Sequence, residues 1–337
     1  MRNTLLIALV LLAVACNSWS QPATTLRISF YNVENLFDLK NDPIKKDDDF
    51  TPTGKQQWTK ERYQTKLKRI SQVLDSLGTP TFLGLAEVEN LSVVKDLAKT
   101  GGLRNIKYGF VHQESPDVRG IDVAFMYDKK QFKLLSYSFI RIDFPEEVEA
   151  NYTSRDILHA MGKLPTGDTL HFFVNHWPSR RGGLAKSEPK RMWVAQHLRL
   201  AVDDIFRENP DANVIIMGDF NDEPDNKSIL QMLNAHPRNE SPEDGQLYNC
   251  FSEFDQQNMG SYRYRADWNA LDQIIVSGSL LNGHSTFLAA NPIIFKRDWM
   301  MYNNNKYGPS PNRTYGGPRY FGGYSDHLPV SLELIRK

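Results

Sequence analysis

Short apolar runs rich in Val, Ile and Phe recur along the chain at residues 26–33, 81–88, 123–127, 170–175, 214–217, 271–277 and 330–335. Runs of that length and composition are what strands buried in a sheet require. Between them, Tyr63, Leu67, Ile70, Leu74 and Leu77 return at steps of four and three, which places them on one helix face. A second helix is predicted over about residues 188–206, with Val194, Leu198, Ala201 and Ile205 inward and Pro189 in the first turn, where its missing N–H costs nothing. Strands and helices mixed in this way predict an α+β sandwich with sheets inside and helices outside. Residues 291–324 break the pattern, being crowded with Asn, Gly, Pro and Tyr. So long an aperiodic stretch is usually functional or disordered. Trp299, Tyr302, Tyr307, Arg313, Tyr315, Arg319 and Tyr320 make it equally readable as an ordered lid or substrate wall and as a plain surface loop.

The first residues read as an export signal over residues 1–20: Arg2 opens it, Leu5 to Ala15 is unbroken apolar sequence, and Ala13-Val14-Ala15-Cys16 resembles a bacterial lipoprotein box. The run is shorter than the roughly 20 apolar residues a membrane span needs. Cleavage before Cys16, leaving a lipidated cysteine that holds the protein to a membrane, is the first expectation; cleavage near Ser20 with release is the second. Either route exports the chain, to the periplasm, the cell surface or the medium. Only Cys250 would remain as a free thiol, so neither a disulfide framework nor a cysteine metal site is expected. No repeat, linker or second apolar span follows, which leaves one domain over residues 26–337, monomeric by default. With 40 basic and 40 acidic residues the chain has no overall field to attract nucleic acid, although a local basic groove can hide in a neutral total.

The informative polar residues stand where the apolar runs stop. Asn32 and Glu34, Glu87 and Glu89, His176, and Asp219 and Asn221 each follow a run, while Asp326 and His327 precede the last one. Delivering acids to one edge of a core implies a site, because burying them unpaired is costly. Oxygen donors without cysteine select a hard cation, Mg²⁺ first, with Mn²⁺ and Ca²⁺ as alternatives.

Tyr31-Asn32-Val33-Glu34-Asn35-Leu36-Phe37, Ala86-Glu87-Val88-Glu89-Asn90, Asn175-His176-Trp177-Pro178-Ser179, Gly218-Asp219-Phe220-Asn221, Leu271-Asp272-Gln273-Ile274-Ile275 and Ser325-Asp326-His327-Leu328-Pro329-Val330 resemble, in order, the motifs of the endonuclease/exonuclease/phosphatase (DNase I-like) superfamily. The resemblance implies a four-layer α/β/β/α sandwich and hydrolysis of a phosphoester. It implies Glu87 as the principal metal ligand, Asn32 beside it orienting ligand or phosphate, and Asp326 as a further metal-side acid. Asp219 and Asn221 would hold the attacking water and a phosphate oxygen. His327, oriented by Asp272, is the implied catalytic histidine, with either His327 or Asp219 taking the proton of water. His176 would contact the phosphate or assist the leaving group.

Arg119-Gly120-Ile121-Asp122 matches more loosely: Asp122 reads as a partner for His176 or as half of a turn salt bridge with Arg119. Glu34 and Glu89 lie two residues from stronger candidates and so on the same strand side. His112, His159, His171 and His197 match no motif, and Trp177 reads as packing. The superfamily spans nucleases, inositol-phosphate phosphatases and sphingomyelin-type phospholipases. An exported nuclease is the first reading, since Arg180, Arg181, Lys186, Lys190 and Arg191 put positive charge near His176, suited to a phosphate backbone. The same cluster also reads as the solvated start of a helix. Arg119, Arg180, Arg181 and Tyr320 are the expected substrate contacts. A phosphatase or phospholipase is the alternative, and a non-catalytic surface lipoprotein that keeps the fold is the second.

Overall fold

The apolar runs pair into two sheets in the computed structural model, which describes residues 24–337; the expected export segment and Cys16 lie outside the described residues. The sheet strands are β1 (Thr25–Leu36), β2 (Phe82–Val88), β3 (Tyr108–His112), β4 (Asp122–Asp128), β5 (Lys133–Ile140), β6 (Ile157–Lys163), β7 (Thr169–His176), β8 (Asn213–Asp219), β9 (Ala235–Pro237), β10 (Leu247–Asn249), β11 (Asp272–Ser277), β12 (Phe287–Ile294) and β13 (Val330–Arg336). One six-stranded sheet has the order β12-β13-β1-β2-β4-β3, and one seven-stranded sheet the order β5-β6-β7-β8-β11-β10-β9. Each has a parallel pair at its centre, β1 with β2 and β7 with β8, flanked by antiparallel neighbours.

Side chains alternate between faces with period two, and this sorts the core into layers. Ile28 and Phe30 of β1, Phe82 of β2, Phe172 and Val174 of β7, and Ile215 and Met217 of β8 meet between the sheets. Gly84 allows the closest approach there, since a Cβ on it would lie 2.5 Å from Met217 Sδ. The opposite faces are covered by helices. α1 (Lys60–Leu77), capped by Thr59 at its start and by left-handed Gly78 at its end, and α2 (Leu91–Ala98), capped by Asn90, pack on the six-stranded sheet through Ile70, Leu74, Val93 and Leu97. α3 (Leu184–Glu208) covers the seven-stranded sheet through Val194, Leu198, Val202 and Phe206. The result is the expected α/β/β/α sandwich.

Two local expectations change. α3 begins at Leu184, so Pro189 lies inside the helix instead of in its first turn, and Ala201 and Ile205 are only partly buried. The aperiodic stretch is not a plain loop: β12 takes its start, and hairpins pair Met301–Asn304 with Gly308–Pro311 and Tyr315–Gly316 with Arg319–Tyr320. Phe295, Met300, Tyr315 and Tyr324 anchor it in the core beneath α1. Among the described residues no helix is long and apolar enough to cross a membrane.

Candidate active site

Extending the period of two by one step past the inter-sheet core reaches the polar residues. After Phe30 comes Asn32, after Val174 comes His176, after Met217 comes Asp219, and ahead of Ile274 stands Asp272. His176, Asp219 and Asp272 are also level in register across their strands. One rim between the sheets therefore collects them by strand geometry alone. Glu87 breaks parity, because it follows inward Ala86. It adopts φ 63° at a register shift between β2 and β4, the bulge conformation that re-aims a side chain.

The centre is Asp219. Its Oδ2 accepts from Asn32 Nδ2 at 3.0 Å and lies 3.6 Å from His176 Nε2 and 3.8 Å from His327 Nε2, while Oδ1 accepts from the Asn221 N–H at 3.0 Å. Asn221, at φ 51°, ties its side-chain amide to Trp177 O at 3.0 Å. His327 Nδ1 meets Asp272 Oδ2 at 2.6 Å. Asp272 is held in turn by Ser261, whose hydroxyl donates to Oδ2 and accepts from the Asp272 N–H. Glu87 Oε2 accepts from Asn35 N at 3.0 Å, and its Oε1 stands 3.9 Å from His176 Nε2.

These contacts drive the groups apart electrostatically. Burial pushes the Asp219 carboxyl up, with Asp272 adding to the rise and His327 opposing it, to about 7. Burial, together with Arg155, Arg119 and His327, holds His176 well below the ordinary imidazole range. Burial acts downward on His327 too, but Asp272 and Asp219 outweigh it and hold this ring well above that range. One neutral and one protonated imidazole therefore flank a carboxyl group poised near neutrality.

The sequence model described as endonuclease/exonuclease/phosphatase family matches residues 27–336. The chain belongs to that family. The fold is similar to an endonuclease/exonuclease/phosphatase family protein from Bacteroides thetaiotaomicron, at TM-score 0.59 and 16% identity over 94% of this chain and 99% of that one. It is similar to the human Nocturnin catalytic domain with bound sulfate, at 0.55 and 16% over 93% and 95%. A mannosyl-6-phosphatase of B. thetaiotaomicron is similar at 0.55 and 15% over 92% and 99%. No curated protein matches the chain in sequence.

Members of this family hydrolyse phosphoesters and typically depend on a divalent metal. The residues fit such a cation at Glu87. Its largely buried carboxyl is pushed up by burial and by Asp326, against the opposing charges of Arg119 and His327, so a bound cation would relieve both effects. Asp326 meets Arg313 Nη2 at 2.6 Å, so it would share its charge between that guanidinium and a cation whose principal ligand would be Glu87. Ligand atoms of Asp219, Asp272 and His327 also lie within 4.8 Å of one another. There the imidazole itself supplies the positive charge, so this trio reads as an acid–histidine–acid relay. Asn32 donates its amide to Asp219 and accepts the Glu34 N–H on Oδ1 at 3.0 Å, which makes it a positioner of Asp219 beside the cation site.

Several expected residues lie elsewhere. Asp122 does not reach His176: on β4 it shares the parity of Ala124 and Met126, which face the helices, and it accepts from Ser115 N at 2.9 Å. Nor does it pair with Arg119, whose partner is Asp117. Arg119 itself lines the catalytic pocket, as does Arg181. Arg180 lines it too, but donates to Asn221 O at 2.7 Å and pairs with Glu223, bracing the Asp219–Asn221 turn. Tyr320 does not line the catalytic pocket; its ring packs against Tyr315 with the Arg62 guanidinium 4.4 Å away, over α1. Glu34, at φ 51°, turns away from Asn32 to accept from Thr314 N and to face buried Lys66. Glu89 accepts from Asp38 N, beside another acidic crevice. Sequence missed Ser261 and Tyr262, whose ring lies 4.9 Å from His327; both sit on an irregular hairpin with no periodic signal.

Proposed function

We propose that the protein is a metal-dependent phosphodiesterase acting as an extracytoplasmic nuclease on DNA or RNA. The observation that carries the reading is the placement of the Asp219 carboxyl, with Oδ2 3.6 Å from His176 Nε2 and 3.8 Å from His327 Nε2, in a pocket of about 650 Å³ lined by Arg119 and Arg181; burial there raises the carboxyl to about 7. A catalytic base works best with a pKa near the working pH. Asp219 takes a proton from water as its oxygen attacks phosphorus in line, and the bond from phosphorus to the leaving oxygen breaks. The His327 imidazolium, fixed by Asp272, donates from Nε2 to a phosphate oxygen whose charge grows in the transition state. The acceptors around His176 Nε2 favour a hydrogen on that nitrogen, available to the phosphate or the leaving oxygen. A divalent cation held by Glu87 and Asp326 would neutralise charge on the phosphate.

A polymer is favoured over a small phosphate ester because the pocket continues, past Tyr262, Tyr264 and Asp326, into a second cleft of about 450 Å³. The apolar leader ahead of the domain supports export. The test is hydrolysis by the purified protein, in parallel, of plasmid DNA, RNA, sphingomyelin and inositol phosphates with Mg²⁺. Glu87→Ala and His327→Ala should each abolish turnover with far-UV circular dichroism unchanged. Near-wild-type hydrolysis by either variant under stringent metal control refutes the site, and turnover of only a lipid or sugar phosphate refutes the nuclease.

A further inference from the structure

We infer that, if the nuclease reading holds, the second cleft is a stacking subsite for unpaired nucleobases, so that the substrate is single-stranded nucleic acid. The cleft joins the catalytic pocket through Tyr262, which forms a backbone bridge with His327 and lays its ring against that imidazole. Beyond Tyr262 the walls carry aromatic rings turned to solvent: Tyr264 is 55% exposed, Tyr302 50% and Phe321 40%. Tyr302 and Phe321 already lie stacked, with ring centroids 6.1 Å apart, so together they offer a ligand one extended aromatic wall. Two guanidiniums stand against these rings: Arg265, which lines the cleft, 5.3 Å from the Tyr264 ring, and Arg319 5.2 Å from the Phe321 ring. Rings interleaved with cations are the chemistry that holds a chain of bases and phosphates.

The walls are constructed. Arg263 donates to Tyr307 O, Pro309 O and Ala266 O, which ties the Tyr262–Asn269 hairpin to the Met301–Pro311 hairpin. Gly316 leaves room for Phe321, since a Cβ there would lie 2.5 Å from the ring. Buried Lys66 donates to Thr314 Oγ1 and Tyr324 O and pins the segment carrying Arg313 and Phe321 to α1. In a duplex both faces of every base are already covered by neighbouring bases, so only unpaired bases can use these rings.

The test uses the full mature protein with Mg²⁺ and three substrates of equal length: a single-stranded oligonucleotide, the same strand annealed to its complement, and an abasic strand. Wild-type kcat/KM should be about 10-fold or more higher on the single strand than on the duplex. Tyr302→Ala and Phe321→Ala should each lower the ratio of kcat/KM on the base-bearing strand to that on the abasic strand about 10-fold, and Phe321→Trp should restore it. Melting curves confirm that the variants fold. Equal cleavage of single strand and duplex, or variants that leave the ratio unchanged, overturns the subsite while leaving the nuclease intact. Failure to cleave any nucleic acid overturns the nuclease reading first, and the subsite falls with it.

Discussion

His176 and His327 face the same Asp219 oxygen from 3.6 and 3.8 Å, yet one is held neutral and the other protonated. The difference lies behind each ring. Arg155, which donates to His176 O, puts a buried cation next to one, and Asp272 puts a buried carboxylate on Nδ1 of the other. Environments that split the pKa values of neighbouring groups assign their roles, here His327 as hydrogen-bond donor and Asp219 as base. Asp272→Asn keeps the shape and removes the charge. We expect kcat to fall about 10²–10⁴-fold with the fold unchanged. Because Asp272 raises the His327 pKa, its loss lets the imidazolium deprotonate sooner, so the alkaline limb of the pH–rate profile should move to lower pH. A variant within threefold of wild type, with an unmoved limb, rules out the relay.

At the scale of elements, the sequence is legible where a period governs position. The inward parity of β1, β7, β8 and β11 brings Asn32, His176, Asp219 and Asp272 to one rim, and apolar runs show that parity directly. The same parity shows Asp122 facing the helices with Ala124 and Met126, a signal overlooked in pairing it with His176. What has no period was illegible: the left-handed turn that re-aims Glu87, the hairpin that delivers Ser261 and Tyr262, and the fold-back that puts Tyr320 over α1. Charge was legible only as charge. In the basic stretch that runs into α3, Arg191 lies within the helix and is fully buried, with Nε 2.7 Å from Asp222 Oδ2, so it is structural, while Arg180 braces the neighbouring turn at the wall of the catalytic pocket. Arg191→Met should cost about 3 kcal/mol by leaving buried Asp222 with only Ser228 and the more distant Arg180, read from urea unfolding, and the double variant with Asp222→Leu should recover most of it. If Arg191→Met unfolds at the wild-type urea midpoint and only KM changes, the arginine serves substrate after all.

At the scale of the whole molecule, two central parallel strand pairs ending at one rim concentrate acids that the fold alone cannot neutralise. Burial pushes Glu34 to about 7, against the partial relief of Lys66, and Asp219 to about 7, and it raises Glu87 as well. In the unfolded chain such carboxyls titrate near 4. Groups with raised folded pKa values favour the fold while they are protonated, so this contribution is lost as pH rises through about 7. Metal-free protein should therefore melt at a lower temperature at pH 8 than at pH 6. A divalent cation binds the ionised form and reverses the loss: at 100 times its Kd it adds about 2.7 kcal/mol, roughly 4 °C in Tm for a domain of this size. Glu34, which faces Lys66 away from the pocket, and Glu89, raised to about 8 beside Asp38, Asp47 and Asp42 in the other crevice, should leave a residual slope that metal at the catalytic rim does not remove. Glu87→Gln should erase most of the metal-dependent rise and soften the pH dependence of the metal-free protein. Superimposable melting curves in Mg²⁺ and in EDTA at pH 8 would mean that the acids at this rim are neutralised by protons and arginines alone, and the cation would lose its place in the site.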